Sequence, residues 1–189
     1  MLNLDVVYTT FPVLESERLR LRQQRTEDAP DLFAVFGDPE VVRHTDMRPI
    51  PDVATARRLI DGANHQYAER RVVRWAVALR HTDALIGACA CLGFDERRAS
   101  TEIGYDLARA YWNQGYMTEA LRAVLAWCFE TVGVNRVQAM TLPWNVASMR
   151  VLHKLGFREE GILREYVYFK DAFQDLRMFA LLKRDYDLL

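Results

Sequence analysis

Cysteine is scarce: Cys89, Cys91 and Cys128 are the whole complement of a 189-residue chain. A zinc centre needs about four ligands. His44, His65, His81 and His153 show no ligand spacing around these sulfurs, so no metal is expected. Cys89 and Cys91 sit in the apolar run Leu85–Leu92, where alternation puts both on one strand face, and they read as small core residues. An excess of charge is also missing: 25 Lys and Arg against 26 Asp and Glu give a net charge of −1 and a pI near 6.4. That balance gives no electrostatic case for nucleic acid or an acidic membrane surface. The two signs are interspersed, so there are no charged tails. No apolar run approaches the ~20 residues of a transmembrane helix. The first residues, Met-Leu-Asn-Leu-Asp, carry an early acid and no signal-peptide plan, so a soluble cytoplasmic protein is expected. Glycine is sparse as well. Gly115 stands alone where a dinucleotide fingerprint wants three glycines, which argues against a nicotinamide-binding fold.

Half of the residues are apolar, enough to bury one sizeable core, and a single domain over residues 1–189 is expected. Residues 1–13 carry no strong pattern. Leu19, Leu21 and Gln23 alternate with Arg18, Arg20 and Arg22, a strand with one apolar and one basic face. Thr26 is expected to cap a helix through Phe36, and Gly37-Asp38-Pro39 to end it. Residues 40–52 read as an irregular loop, either a solvated connector or part of a substrate pocket. A helix is predicted from about Val53 to Arg70. The period then shifts to two, with strands around Trp75–Leu79, Leu85–Phe94 and Ser100–Leu107 joined by short polar turns, an antiparallel meander. Met117, Leu121, Val124, Cys128 and Val132 form one helical stripe that Gly133 stops. A strand over Arg136–Leu142, a helix over Asn145–Leu155 and a hairpin of Gly161–Phe169 with Leu176–Leu182 complete the order. The predicted fold class is α/β (α+β mixed): a mixed, mostly antiparallel sheet with helices on both faces.

Chemistry gathers where the third meander strand meets the striped helix, at Tyr111-Trp-Asn-Gln-Gly115-Tyr-Met-Thr-Glu-Ala120. A helix start leaves backbone N–H groups unpaired and carries partial positive charge, so it can hold a phosphate. Gly115 would allow close backbone approach, and Asn113 tolerates a left-handed conformation. Taken alone, a glycine before a helix is also common punctuation. Together with Ser100-Thr-Glu-Ile-Gly-Tyr105, and with Asn145-Val-Ala-Ser148 running to Lys154-Leu-Gly-Phe157, the turn resembles the GNAT superfamily of acetyl-CoA-dependent N-acetyltransferases, most closely its RimJ/RimL branch. Residues 15–182 follow the family's order.

The resemblance implies a GNAT-like sheet of six to seven strands and acetyl-CoA as cosubstrate, its pyrophosphate on the turn Asn113, Gln114, Gly115, Tyr116, Met117 and Thr118. It implies that the arm lies against the strand at Tyr105 and Leu107 and beside the helix bearing Asn145, Ser148, Leu152 and Lys154. Asn145 would bond the pantetheine, and Ser148 would protonate the departing thiolate. The local alternative for both is helix capping. Glu102 is a candidate general base, or else the partner of an arginine such as Arg97. RimL-like enzymes carry an acid late in the C-terminal hairpin. Spacing puts Val167 there, and Glu165, expected to share its facing, is the substitute candidate. Trp112 and Met117 depart from the family's usual turn residues. The acceptor would be a primary amine, on a protein N-terminus or a small molecule, in a monomer or homodimer. The alternative is a non-catalytic acyl-CoA-binding or sensor module, which would keep the turn and need no base.

Overall fold

The computed structural model describes residues 2–188. Its centre is one sheet of eight strands in the order β1-β2-β3-β4-β5-β6-β8-β7. The strands are β1 (Leu14–Glu15), β2 (Leu19–Gln23), β3 (Val73–Leu79), β4 (Leu85–Asp95), β5 (Ser100–Leu107), β6 (Arg136–Thr141), β7 (Arg158–Phe169) and β8 (Ala172–Leu182). The short β1, pairing Leu14 with Leu21, takes the count beyond the expected six to seven. Every neighbouring pair is antiparallel except β5 with β6, which run parallel.

That parallel pair is short. Ser100, Thr101 and Glu102 face Arg136, Val137 and Gln138, and the pairing stops there. Beyond it β6 stays with β8, Ala139 to Thr141 opposite Phe179 to Arg177, while β5 stays with β4 as far as Leu107. The sheet therefore splits after Glu102, and the β6-facing edge of Ile103–Leu107 is left without a strand partner.

Helices cover both faces. On one lie α1 (Leu4–Tyr8), α5 (Tyr116–Ala126) and α6 (Val146–Lys154). They pack over Leu19, Leu21, Trp75, Val77, Cys89 and Ile103. The stripe Met117, Leu121, Val124, Cys128 and Val132 is buried there as its spacing required, and Gly133 ends the helix at φ +83°. The last turns, Trp127–Val132, widen to π-helical bonding before that stop. All three thiols are buried and free. On the other face α2 (Ala29–Phe36), the single-turn α3 (Pro39–Val42) and α4 (Val53–Ala68) form a second cluster over Ala76 and Leu85. A last short helix, α7 (Lys183–Tyr186), follows β8. No helix among the described residues is long and apolar enough to cross a membrane.

Local expectations changed in four places. The unpatterned leader contains α1, whose Val7 is fully buried in the first core cluster. Thr26 caps nothing. Its place is taken by Asp28, whose carboxylate accepts the Arg25 N–H at 2.7 Å and a two-pronged bond from buried Arg22 at 2.7 Å. On the basic face of β2 only Arg22 leaves solvent, where Asp28 and Asp83 neutralise it, while Arg20 stays exposed. The hairpin turn is tighter than Lys170–Gln174: Lys170 and Asp171 alone turn the chain, both at positive φ as a two-residue turn of this hand requires.

Candidate active site

A cavity of about 600 Å³ opens at the split, a size typical of small-molecule sites. Because the sheet is parted there, side chains from both of its faces reach it. Tyr105, Asn145 and Ser148 line it from the α6 side, and Glu102, Gly104 and Asp106 from the opposite face of β5. The loop of residues 40–52 forms part of its wall through His44, Thr45, Asp46 and Met47. Lys170 fastens that loop by donating to the carbonyls of Val42 and Thr45, each at 2.8 Å.

Asn145 is the N-cap of α6, its Oδ1 accepting the Ser148 N–H at 3.1 Å. The Ser148 hydroxyl is not spent on that cap. It bonds the Tyr105 hydroxyl at 2.7 Å, at the mouth of the split. Burial pushes the Tyr105 phenol far above its usual range, so it stays protonated and can donate. Leu152 is fully buried in the core and offers a ligand no surface, whereas Lys154 is exposed in the last turn of α6. The inward stripe predicted Leu152's burial.

Glu102 does not meet Arg97. It accepts a bond from Gln138 Nε2 at 3.2 Å, just where β5 and β6 part. Burial raises its pKa, against the smaller pull of that bond. Gly104 needs no special conformation; a methyl group there would only touch Leu92 at 3.7 Å, so its smallness serves the cavity. Glu165 is turned away. The ladder shifts between the pairs Leu163–Leu176 and Val167–Gln174, and the extra residues bulge out. Glu165 sits on that bulge at φ +48°, exposed, its N–H held by Asp175 at 2.7 Å. Val167 and not Glu165 lines the cavity, so the shared facing expected from alternation does not exist.

At the other end of the split lies the turn before α5. Asn113 and Gly115 both take left-handed conformations, φ +59° and +81°. Gly115 is the N-cap, and no side chain caps the helix. Its carbonyl accepts from Glu119 at 3.0 Å, which leaves the N–H groups of Tyr116, Met117 and Thr118 outside the helical ladder. Met117 points its side chain into the core without blocking its N–H. The Trp112 indole bonds the Leu107 carbonyl at 2.7 Å and so ties the turn to the end of β5. This is an uncapped, positively polarised helix end of the kind an anion fits.

The GNAT acetyltransferase domain model matches residues 18–158. The chain belongs to the GNAT acetyltransferases. It is 37% identical over 173 residues to the uncharacterised N-acetyltransferase p20 of Bacillus licheniformis, covering 92% of this chain and 97% of that one. Its structure is similar to that of a putative acetyltransferase from T. thermophilus, with TM-score 0.83, 26% identity, and 94% and 93% of the two chains covered. It shares its fold with Mycobacterium smegmatis RimJ in complex with CoA-disulfide, with TM-score 0.82, 23% identity, and 90% and 87% covered. The protein is an acetyl-CoA-dependent acetyltransferase.

Three features of this GNAT enzyme's site were not legible in the chain. Arg18 lies 101 positions from Glu119 yet bonds its carboxylate at 2.7 Å, the Gln114 carbonyl at 3.1 Å, and the Tyr116 ring face at 4.1 Å. It braces the turn and adds positive charge beside it. Asp106 shares the Glu102 face, as alternation gave, but its depth in the cavity did not follow from alternation. Burial lifts its pKa to about 6, with Arg74 pulling it down and Asp46 pushing it up. Arg74 and Gln24, on β3 and just after β2, line the same cavity two and three strands away from β5. Only the cross-strand register could have revealed them. Among the described residues no group of His, Cys, Asp and Glu could hold a metal ion.

Proposed function

We propose that this enzyme transfers the acetyl group of acetyl-CoA to a primary amine by direct attack within a ternary complex, with residues 15–182 as its catalytic core. The observation that carries this reading is the split after Glu102, which puts an unpaired strand edge, a carboxylate and a hydrogen-bonded hydroxyl pair around one cavity. The uncapped N–H groups of Tyr116–Thr118, with Arg18 beside them, would hold the pyrophosphate. The backbone edge at Tyr105 and Leu107, with Asn145, would hold the pantetheine arm. Bound there, acetyl-CoA supplies the acetyl group as an activated thioester.

Glu102 takes the proton of the incoming ammonium, directly or through water, and its raised pKa makes it a better base near neutrality than an exposed glutamate. A backbone N–H on the open edge of β5 steadies the charge that develops on the thioester oxygen. Ser148 gives its proton to the leaving sulfur, the protonated Tyr105 hydroxyl steadies it by hydrogen bonding, and the second proton shed by the acylated nitrogen restores the pair. With all three thiols buried, no cysteine is placed as an acyl carrier, which favours direct transfer over a covalent intermediate. Mass spectrometry of an amine panel incubated with acetyl-CoA tests this, with thiol release followed in parallel. Acetylated amine with matching thiol is expected. Tight acetyl-CoA binding with no transfer to any amine, even at raised pH, would favour a sensor module.

A further inference from the structure

The amine side of the cavity has opposite charges on opposite walls. Register places them. Gln23 pairs with Trp75, so Gln24 falls beside Arg74; Arg74 pairs with Ala90, and Ala90 with Gly104. One row across four strands therefore reads Gln24, Arg74, Ala90, Gly104 on a single face. Glu102 and Asp106 stand two residues either side of Gly104 on that face. Two inter-strand steps of ~4.8 Å and two residues of ~3.4 Å put the Arg74 and Glu102 backbones roughly 12 Å apart. The small side chains of Ala90 and Gly104 leave the floor between them open. Above, α4 turns Gly62 toward the same space, where a methyl group would meet nothing within 4 Å.

Neither Arg74 nor Asp106 makes a salt bridge among the described residues. Each is half-buried, and although Arg74 attracts Asp106 across the cavity, neither charge has a directly bonded partner to replace the water it has given up. Gln24 makes the same point more sharply. It is 3% exposed, lines the cavity, and its amide Nε2 is buried without a hydrogen-bond partner. An orphaned buried donor is costly. Beside an unpaired guanidinium, it matches the two oxygens of a carboxylate.

We infer that the acceptor is a small zwitterion, a primary amine and a carboxylate on one compact skeleton, with the amine at Glu102 and Asp106 and the carboxylate at Arg74 and Gln24. This rests on the acetyl-transfer reading and adds the substrate class to it. The ammonium is drawn to the two acids and gives one proton to Glu102. The freed amine attacks the thioester carbon, and as the C–N bond forms and the C–S bond breaks the nitrogen sheds a second proton. The sulfur leaves as a thiol, and the substrate becomes a neutral amide that keeps one N–H. The product has then lost one of its two attractions and can leave. A polypeptide N-terminus whose first residue is not acidic carries no carboxylate at this distance, and a polyamine carries a cation where Arg74 stands.

The test compares kcat/KM, at saturating acetyl-CoA, for free amino acids, their carboxamides, a polyamine and a short peptide with a free N-terminus. Free acids should exceed their carboxamides by about 10- to 100-fold, the value of one charge-assisted contact, mostly in KM. Arg74→Gln should bring that ratio close to one. Gln24→Leu should lower it while raising the melting temperature, because an unpaired buried amide has been removed; a purely structural glutamine would leave the ratio alone. If Arg74→Gln does not fold, the wild-type ratio and Gln24→Leu still decide. Transfer that ignores the carboxylate, or prefers the polyamine or the peptide, overturns this inference and leaves acetyl transfer standing. No transfer to any amine overturns both.

Discussion

Ser148 serves the cap through its backbone and the cavity through its hydroxyl, so one substitution separates the two roles. Ser148→Ala should lower kcat by about 10²-fold, the low end for proton-transfer groups. The cap survives and Tyr105 keeps a longer contact to the Ser148 carbonyl at 3.4 Å. The stability loss should therefore stay near ~1 kcal/mol; an unchanged kcat would reduce Ser148 to a structural residue. Glu102 makes a pH prediction. Its base form accumulates as pH rises through a midpoint that burial has moved above the ordinary carboxylate range, so kcat/KM should climb through that midpoint. Glu102→Gln should abolish the limb, and a limb that persists would assign the proton transfer to water or to the amine itself. Asp106 predicts stability instead. Its pKa rises from 3.8 to about 6 on folding. The folded state therefore binds the extra proton, and stability falls as pH rises across that window. The full penalty is present above it, where Asp106→Asn should raise the melting temperature. About 2–4 °C is expected for each ~1 kcal/mol recovered. Equal gains at pH 4 and pH 8 would show that its ionisation is not the cause.

Elements set where those residues meet. The turn before α5 combines Gly115 at φ +81° with free N–H groups at the start of the helix. Gly115→Pro would fix φ near −65° and delete a donor. It should abolish the melting shift that acetyl-CoA produces, and a shift of wild-type size in that variant would place the pyrophosphate elsewhere. The β7–β8 hairpin acts on the opposite wall. Lys170 at its tip holds the carbonyls of Val42, Arg43 and Thr45, and Arg48 reaches Asp171 at 2.9 Å. Burial lowers the Lys170 pKa, yet three carbonyl acceptors suit its ammonium form. Lys170→Met should loosen residues 40–52 and raise KM for the amine several-fold, with the acetyl-CoA melting shift intact. A lost cofactor shift instead would mean that the hairpin supports the whole split.

At the scale of the molecule, the two core clusters lie on opposite faces of the sheet, and the cavity forms where the sheet parts between them. Acetyl-CoA bound only to the folded state stabilises it by linkage, about 2.7 kcal/mol at a hundredfold excess over Kd. In a chain of this length that corresponds to a rise of roughly 5–11 °C. Calorimetry across a range of concentrations checks it through the logarithmic dependence. A flat response would remove acetyl-CoA from the folded state's ligands.

Local pattern alone determined most elements and the parts of the site that one segment carries. The period of two gave β3, β4 and β5 and the side of β5 bearing Glu102. The stripe from Met117 to Val132 gave α5, and Asn145 gave the start of α6. These features depend on neighbours a few residues away, so a chain segment encodes them by itself. Tertiary structure decided what depends on counting across strands. Gln24, Arg74 and Glu102 share a face only because three ladders pair in one register, and Arg18 reaches Glu119 only because β2 lies under α5. Glu165 shows the reverse: alternation carried into the bulge between Leu163 and Val167 assigned it a facing it does not have. Side chains alternate with period two only while each residue pairs across the ladder, and the residues a bulge inserts have no partner to hold them to that count.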